Sequence, residues 1–154
     1  MADKLLRQDI AAATVIDDNA TLASSARAAA DYDNSTNKAT HGDLYLTVQW
    51  NTTPPTTLDL VAELFLLKGD GSGLIADGGD AGLGTDDTPV AVHSLGHFQS
   101  LNPSITVDET MAIYDVELTS SSENRFVLLN TSGQEFDLTW ILQIVPHHLQ
   151  TAAV

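Results

Sequence analysis

The sequence predicts an all-β protein: an antiparallel two-sheet sandwich, jelly-roll-like, with an extended N-terminal segment. Three observations predict it. Several segments alternate apolar and polar residues with period two, the signature of a half-buried strand. Clusters of Asn, Ser, Thr, Gly and Pro punctuate them at short intervals. No stretch carries a convincing helical stripe. The chain has 154 residues, enough for one domain with a real core.

Taken in chain order, the first element is a weak strand at Ile10–Ile16. Residues 17–42 are rich in Ala, Asn, Ser, Thr and Asp, and read as an extended arm or a loosely paired strand. Within them ARAAA at 26–30 has the composition of one helical turn but lacks an apolar stripe. DLYLTVQW then puts Leu44, Leu46, Val48 and Trp50 on one face and Tyr45, Thr47 and Gln49 on the other. LDLVAELFLLKG is apolar on both faces, and a helix is the rival reading because Ala, Glu and Leu favour helices. The preceding Thr56-Thr57 and the following Gly-Asp-Gly turn favour a strand.

Residues 69–88 hold seven glycines and five aspartates and read as a long loop. A strand follows at Val90–Phe98. In TMAIYDVEL, Ala112, Tyr114, Val116 and Leu118 oppose Met111, Ile113, Asp115 and Glu117. A strand at Arg125–Leu129, the turn residues NTSG and a strand through EFDLTWILQIV together give a hairpin signal. That last strand places Phe136, Leu138, Trp140, Leu142 and Ile144 on one face. Residues 1–23 are expected as an N-terminal arm and 24–154 as the sandwich domain.

Composition narrows function. Six Lys and Arg stand against 21 Asp and Glu, a formal net charge of −15. Nucleic-acid binding needs cationic contacts to phosphates, and an anionic membrane surface would repel this chain. Neither partner is expected. The charge is uneven: residues 1–68 carry a net of −4, and residues 69–154 hold 12 acids against Arg125 alone. The absence of cysteine removes disulfide scaffolds and thiolate metal sites. The N-terminus has Lys4 and Arg7, but Asp9 interrupts any apolar run, which makes it a poor secretory signal. Four Asn-x-Ser/Thr triplets, at Asn19, Asn34, Asn51 and Asn130, read as turn chemistry.

Candidate chemistry is sparse. Asp70, Asp77, Asp80, Asp86 and Asp87 offer oxygens to calcium, but EF-hand spacing is absent and turn geometry explains the aspartates. His93 and His97 share a face in a regular strand but lie about 13 Å apart there, too far for one ion. His147-His148 is a polar pair after Pro146. No metal or cofactor is expected. There is no Gly-x-Ser-x-Gly elbow, no HExxH and no phosphate loop, so no enzyme is expected. Trp50, Trp140 and Tyr114 are the makings of a sugar platform, but their apolar faces assign them to the core.

Five segments in order carry a resemblance: SSARAAADYDNSTN (24–37), DLYLTV (43–48), AELFLLKGDG (62–71), HFQS (97–100) and NRFVLLNTSGQEF (124–136). The series resembles small virion structural proteins encoded among the head and tail genes of tailed bacteriophages and prophages. These run through a DNSTN-like turn, an "ELYLLP…DGT"-like strand and turn, and an "F…LLRNKTGQ"-like hairpin. The likeness covers roughly 24–137. Lys68 replaces the usual Pro, and the 69–88 loop is unusually acidic.

The resemblance implies a non-enzymatic capsid decoration, or cement, protein of jelly-roll type. It would be made in the host cytoplasm and placed on the outer surface of the virion shell. Its partners would be the major capsid protein and two further copies in a homotrimer. Lys4, Leu5, Leu6, Arg7 and Ile10 are the candidate capsid or subunit contacts, pairing basic with apolar anchors. A tail, neck or head-fibre component is the neighbouring alternative, and a calcium-dependent carbohydrate-binding module is the alternative of another class.

Overall fold

A computed structural model describes residues 4–56, 59–68, 93–120 and 124–152. Among the described residues nine strands account for the regular structure: β1 (Lys4–Asp9), β2 (Ala13–Ile16), β3 (Arg27–Tyr32), β4 (His41–Val48), β5 (Leu60–Lys68), β6 (His93–Gln99), β7 (Glu109–Glu117), β8 (Asn124–Asn130) and β9 (Ile141–Ala152). One sheet has the order β1-β9-β4-β7, with β2 also on β9; the other is β3-β8-β5-β6. Every pairing is antiparallel. From β3 to β9 the chain passes between the sheets at every step except β5 to β6. That is the connectivity of a jelly roll, with β1 and β2 forming one interrupted edge strand.

The core lies between the two sheets. The expected face of β4 is buried: Leu44, Leu46, Val48 and Trp50 are all within 1% of full burial. They meet Leu142 and Ile144 of β9, Ala62, Leu64 and Leu66 of β5, and Phe126 and Leu128 of β8. Trp50, Phe136 and Trp140 stack edge to face at centroid distances of 5.0 and 6.1 Å. The strand reading of 58–69 holds over β5. Its apolar second face has a reason: Leu67 and Val127 are buried in a separate cluster with Ala29 and Phe65 on the far side of that sheet.

Within 17–42 the paired-strand reading holds for Arg27–Tyr32, which runs as β3 along β8 with Ala28 buried, and the helical-turn composition at 26–30 is overridden by that pairing. Three expectations are corrected. The hairpin over residues 125–145 does not form, because β8 and β9 belong to different sheets. The intervening residues 131–140 cross between them, held by backbone bridges from Phe136 to Leu22 and Trp50. Leu138 sits in the turn closed by the Trp140 N–H to the Asp137 carbonyl, so it is exposed and not on a buried face. In β7 the inward face is Met111 and Ile113, then Val116 and Leu118; Tyr114 is 64% exposed and is not core.

The last of these has a local cause. Gly42 pairs with Val116 and Leu44 with Ile113, so Tyr114 and Asp115 together oppose Asp43 alone. This is a β-bulge, and it shifts the alternation of β7 by one residue. Asp115 takes φ +55° to accommodate it.

The two ends of the sandwich differ. One end gathers the connections 17–26, 100–108 and 131–140 with residues 49–56 and 59. The other gathers 33–40, 118–120 and the strand ends that flank 69–92. At this second end β9 runs on past His147, its last residue paired with β4, and β1 accompanies it from Gln8↔His148 to Lys4↔Ala152.

Candidate functional site

The most unusual group of side chains is an ionic cluster on the outer face of the β1-β9-β4-β7 sheet. Register assembles it. His147 of β9 pairs with Asp9 of β1 on one side and His41 of β4 on the other. Asp43, two residues along β4, faces outward with His41, opposite to Leu44. The bulge then swings Asp115 over the same place.

Asp43 is 1% exposed and His147 0%. A buried carboxylate is tolerated only when its oxygens are matched. Arg7 Nη2 donates to Asp43 Oδ2 at 2.7 Å, and the Asp115 backbone N–H donates to Asp43 Oδ1 at 2.9 Å. Arg7 Nε also donates to Asp9. These bonds, to Asp9 first and Asp43 second, hold the guanidinium pKa above its ordinary value. His147 Nε2 lies 3.2 Å from Asp115 Oδ1, and its Nδ1 lies 3.5 Å from the Val145 carbonyl. The His41 ring stacks on it at 5.9 Å. Donor atoms of Asp43, Asp115 and His147 all fall within 4.8 Å of one another.

A second feature is apolar. Seven large hydrophobic side chains among the described residues are strongly exposed: Leu6, Leu60, Leu101, Ile105, Val107, Tyr114 and Leu138. Leu60, Leu101, Ile105, Val107 and Leu138 all lie at the 100–108 end of the sandwich. Their loop is firmly built. The Glu109 carboxylate accepts from the Ser100 hydroxyl at 2.6 Å and from the Asn102 N–H at 2.8 Å, and Trp50 N–H donates to the Ser104 carbonyl at 3.0 Å. Beside it, a groove of about 370 Å³ runs between β6 and β7, from His97 and Gln99 to Thr110, Ala112 and Tyr114.

The residues expected as contacts fall differently. Arg7 is held by Asp9 and Asp43, and Ile10 packs against the core. Leu6 is 42% exposed. Lys4 and Leu5 are placed by backbone alone, in the β1 ladder. The calcium candidates Asp70, Asp77, Asp80, Asp86 and Asp87 lie outside the described residues. His97 pairs with Glu63 at 3.6 Å. A second bulge, at Gly96, interrupts the register between it and His93. Trp50 and Trp140 are core residues as expected, at 0% and 2% exposure.

The Asp43–Asp115–His147 cluster was not legible beforehand. The segment around Asp43 shows only a strand with a polar outer face, and His147 shows only a polar pair. What joins them is the β4–β9 register and a bulge that period-two counting does not reveal. No protein-family model and no curated protein matches the chain.

Proposed function

We propose that the chain is a non-enzymatic structural protein of a tailed-phage virion, a capsid decoration protein that docks on the outer shell and stabilises it. One observation carries the docking part: the concentration of Leu60, Leu101, Ile105, Val107 and Leu138 at one end of the sandwich. Single exposed apolar side chains are ordinary, but a set gathered on one rigid end is the mark of a protein contact surface. The assignment to a virion rests on the sequence resemblance. Jelly rolls serve in viral capsids and also in lectins, so the fold is compatible with the role and does not select it.

This reading takes the 100–108 end as the shell contact in place of Lys4, Leu5, Leu6, Arg7 and Ile10. Arg7 and Ile10 are engaged within their own fold. The strand ends flanking residues 69–92 lie at the opposite end. The strong negative charge then aids solubility and limits clumping of particles. Stabilisation follows from mass action, since a ligand that binds only one state of the shell favours it by RT ln(1 + [L]/Kd). Trimerisation adds avidity.

The test is co-sedimentation with purified heads, using the wild type and an Ile105→Ser/Val107→Ser double variant. Both positions are exposed, so folding is expected to change by no more than about 0.5 kcal/mol for each substitution. Wild-type binding at hundreds of copies per head, lost in the double variant, supports the reading. Only a few dozen copies at one vertex point to a tail or neck part, and no binding overturns it.

The exposed Tyr114 at the β6–β7 groove favours carbohydrate binding as a second reading. A glycan array with wild type and Tyr114→Ala decides it. Specific binding lost in the variant supports a lectin-like role, and an empty array removes it.

A further inference from the structure

We propose that Asp43, Asp115 and His147 form a site for one first-row divalent transition cation of the zinc type, bound through two carboxylate oxygens and one imidazole nitrogen. The inference stands apart from the virion reading, and either can fail without the other.

The imidazole of His147 points to a ligand. It is fully buried between two groups that only accept hydrogen bonds, the Val145 carbonyl at Nδ1 and the Asp115 carboxylate at Nε2. A neutral imidazole has one N–H and matches one acceptor. With that proton on Nε2 it donates to Asp115 at 3.2 Å; with it on Nδ1, toward Val145, the Nε2 lone pair faces the carboxylate and is open to a positive centre. A metal ion selects the second tautomer, and backbone carbonyls are among the usual partners of the other nitrogen of a ligating histidine.

Charge gives a second, independent reason. With neutral imidazoles the cluster holds one cation, Arg7, against Asp9, Asp43 and Asp115, a net of −2 in a chain that is itself at −15. One divalent ion cancels the local excess. Asp43 is already held at both oxygens, by Arg7 and by the Asp115 N–H, and each oxygen keeps a lone pair for a metal.

Geometry sets the class of ion. Ligand atoms bound to tetrahedral zinc at about 2.0–2.1 Å stand about 3.3 Å apart. The Nε2–Oδ1 separation of His147 and Asp115 is already 3.2 Å. The widest separation among the three donors, 4.8 Å at most, closes with about 1.5 Å of side-chain adjustment. Mixed nitrogen and carboxylate donors suit zinc-like ions. Calcium requires six to eight oxygens, which this cluster does not offer. Asp115 is 65% exposed, so the ion has a path in from solvent.

The experiment uses the full chain, stripped with a chelator and titrated with Zn²⁺ at neutral pH against a chromogenic competitor. Wild type is expected to take up one equivalent. Asp115→Asn keeps the exposed position and a residue that accepts φ +55°, so circular dichroism should show the same fold. Its zinc affinity should fall by about tenfold or more. His148→Asn, next to the cluster, should leave uptake unchanged. No stoichiometric uptake by wild type overturns the site. Equal uptake by Asp115→Asn, or loss in His148→Asn, overturns it as well by placing the ion elsewhere.

Discussion

Asn34, Asn124 and Asn130 are fully buried, and each amide closes a loop. Asn130 Nδ2 donates to the carbonyls of Leu22, Ala23 and Gln134, while its Oδ1 accepts from the Ser132 N–H and hydroxyl. Replacing it by Ala removes these bonds and the acceptor of the Ser132 N–H, while the carbonyls of Leu22, Ala23 and Gln134 keep donors in the Phe136 N–H, the Ala26 N–H and the Ser132 hydroxyl. The expected cost is about 1–2 kcal/mol of unfolding free energy in a denaturant titration. Asn130→Asp should be no better, because a carboxylate would face three carbonyl oxygens. Turn chemistry at Asn34 and Asn130 was legible in the Asn-x-Ser/Thr triplets. Their burial was not, because the carbonyls that Asn130 serves at Leu22 and Ala23 are more than a hundred positions away. At the surface, the Asp33 carboxylate accepts from the Ser35 N–H and hydroxyl, which hold its pKa below the ordinary 3.8. A depressed carboxylate contributes stability above its unfolded pKa and loses it as pH falls through the folded one. An NMR titration should place the Asp33 midpoint below 3.8, and the acid sensitivity assigned to this turn should vanish in Asp33→Asn.

Among the elements, β4 was the most legible and β7 the least. DLYLTVQW keeps its period without interruption, and all four apolar positions are buried. TMAIYDVEL was read with one phase, and the bulge opposite Asp43 splits it into two. Nothing in a single strand announces that its neighbour will present one residue against two. Gly42 shows how tightly the bulged pair is set. A Cβ there would come within 2.6 Å of Ile144 Cδ1 and 2.8 Å of its Cγ1. Gly42→Ala is therefore expected to destabilise by about 1–3 kcal/mol. Pairing it with Ile144→Val removes the nearer contact, so the double variant should lose less than the two single losses combined, read as a double-mutant cycle.

At the scale of the molecule, the sandwich was visible in the sequence because many short alternating segments admit few other arrangements. The strand order was not visible, since β9 joins β1, β2 and β4 from far along the chain. Net charge is the whole-molecule quantity with the clearest consequence. At −15 the folded state repels itself. Screening shortens the reach of that repulsion from about 30 Å at 0.01 M salt to about 8 Å at 0.15 M. The melting temperature should therefore rise across this range in calorimetry. A flat response would mean that local pairs already neutralise the field.

The position of β9 also bears on how the protein comes into being. It lies inside its sheet, between β1–β2 on one side and β4 on the other, yet it is translated after every other strand. On the ribosome β1, β2 and one edge of β4 emerge with no centre to join and must wait, unpaired, until residues 141–152 clear the exit tunnel. Closure is thus a late, long-range event, slow by the standards of small domains. A nascent chain stalled before residue 141 should stay sensitive to protease, and one stalled after β9 has emerged should be resistant.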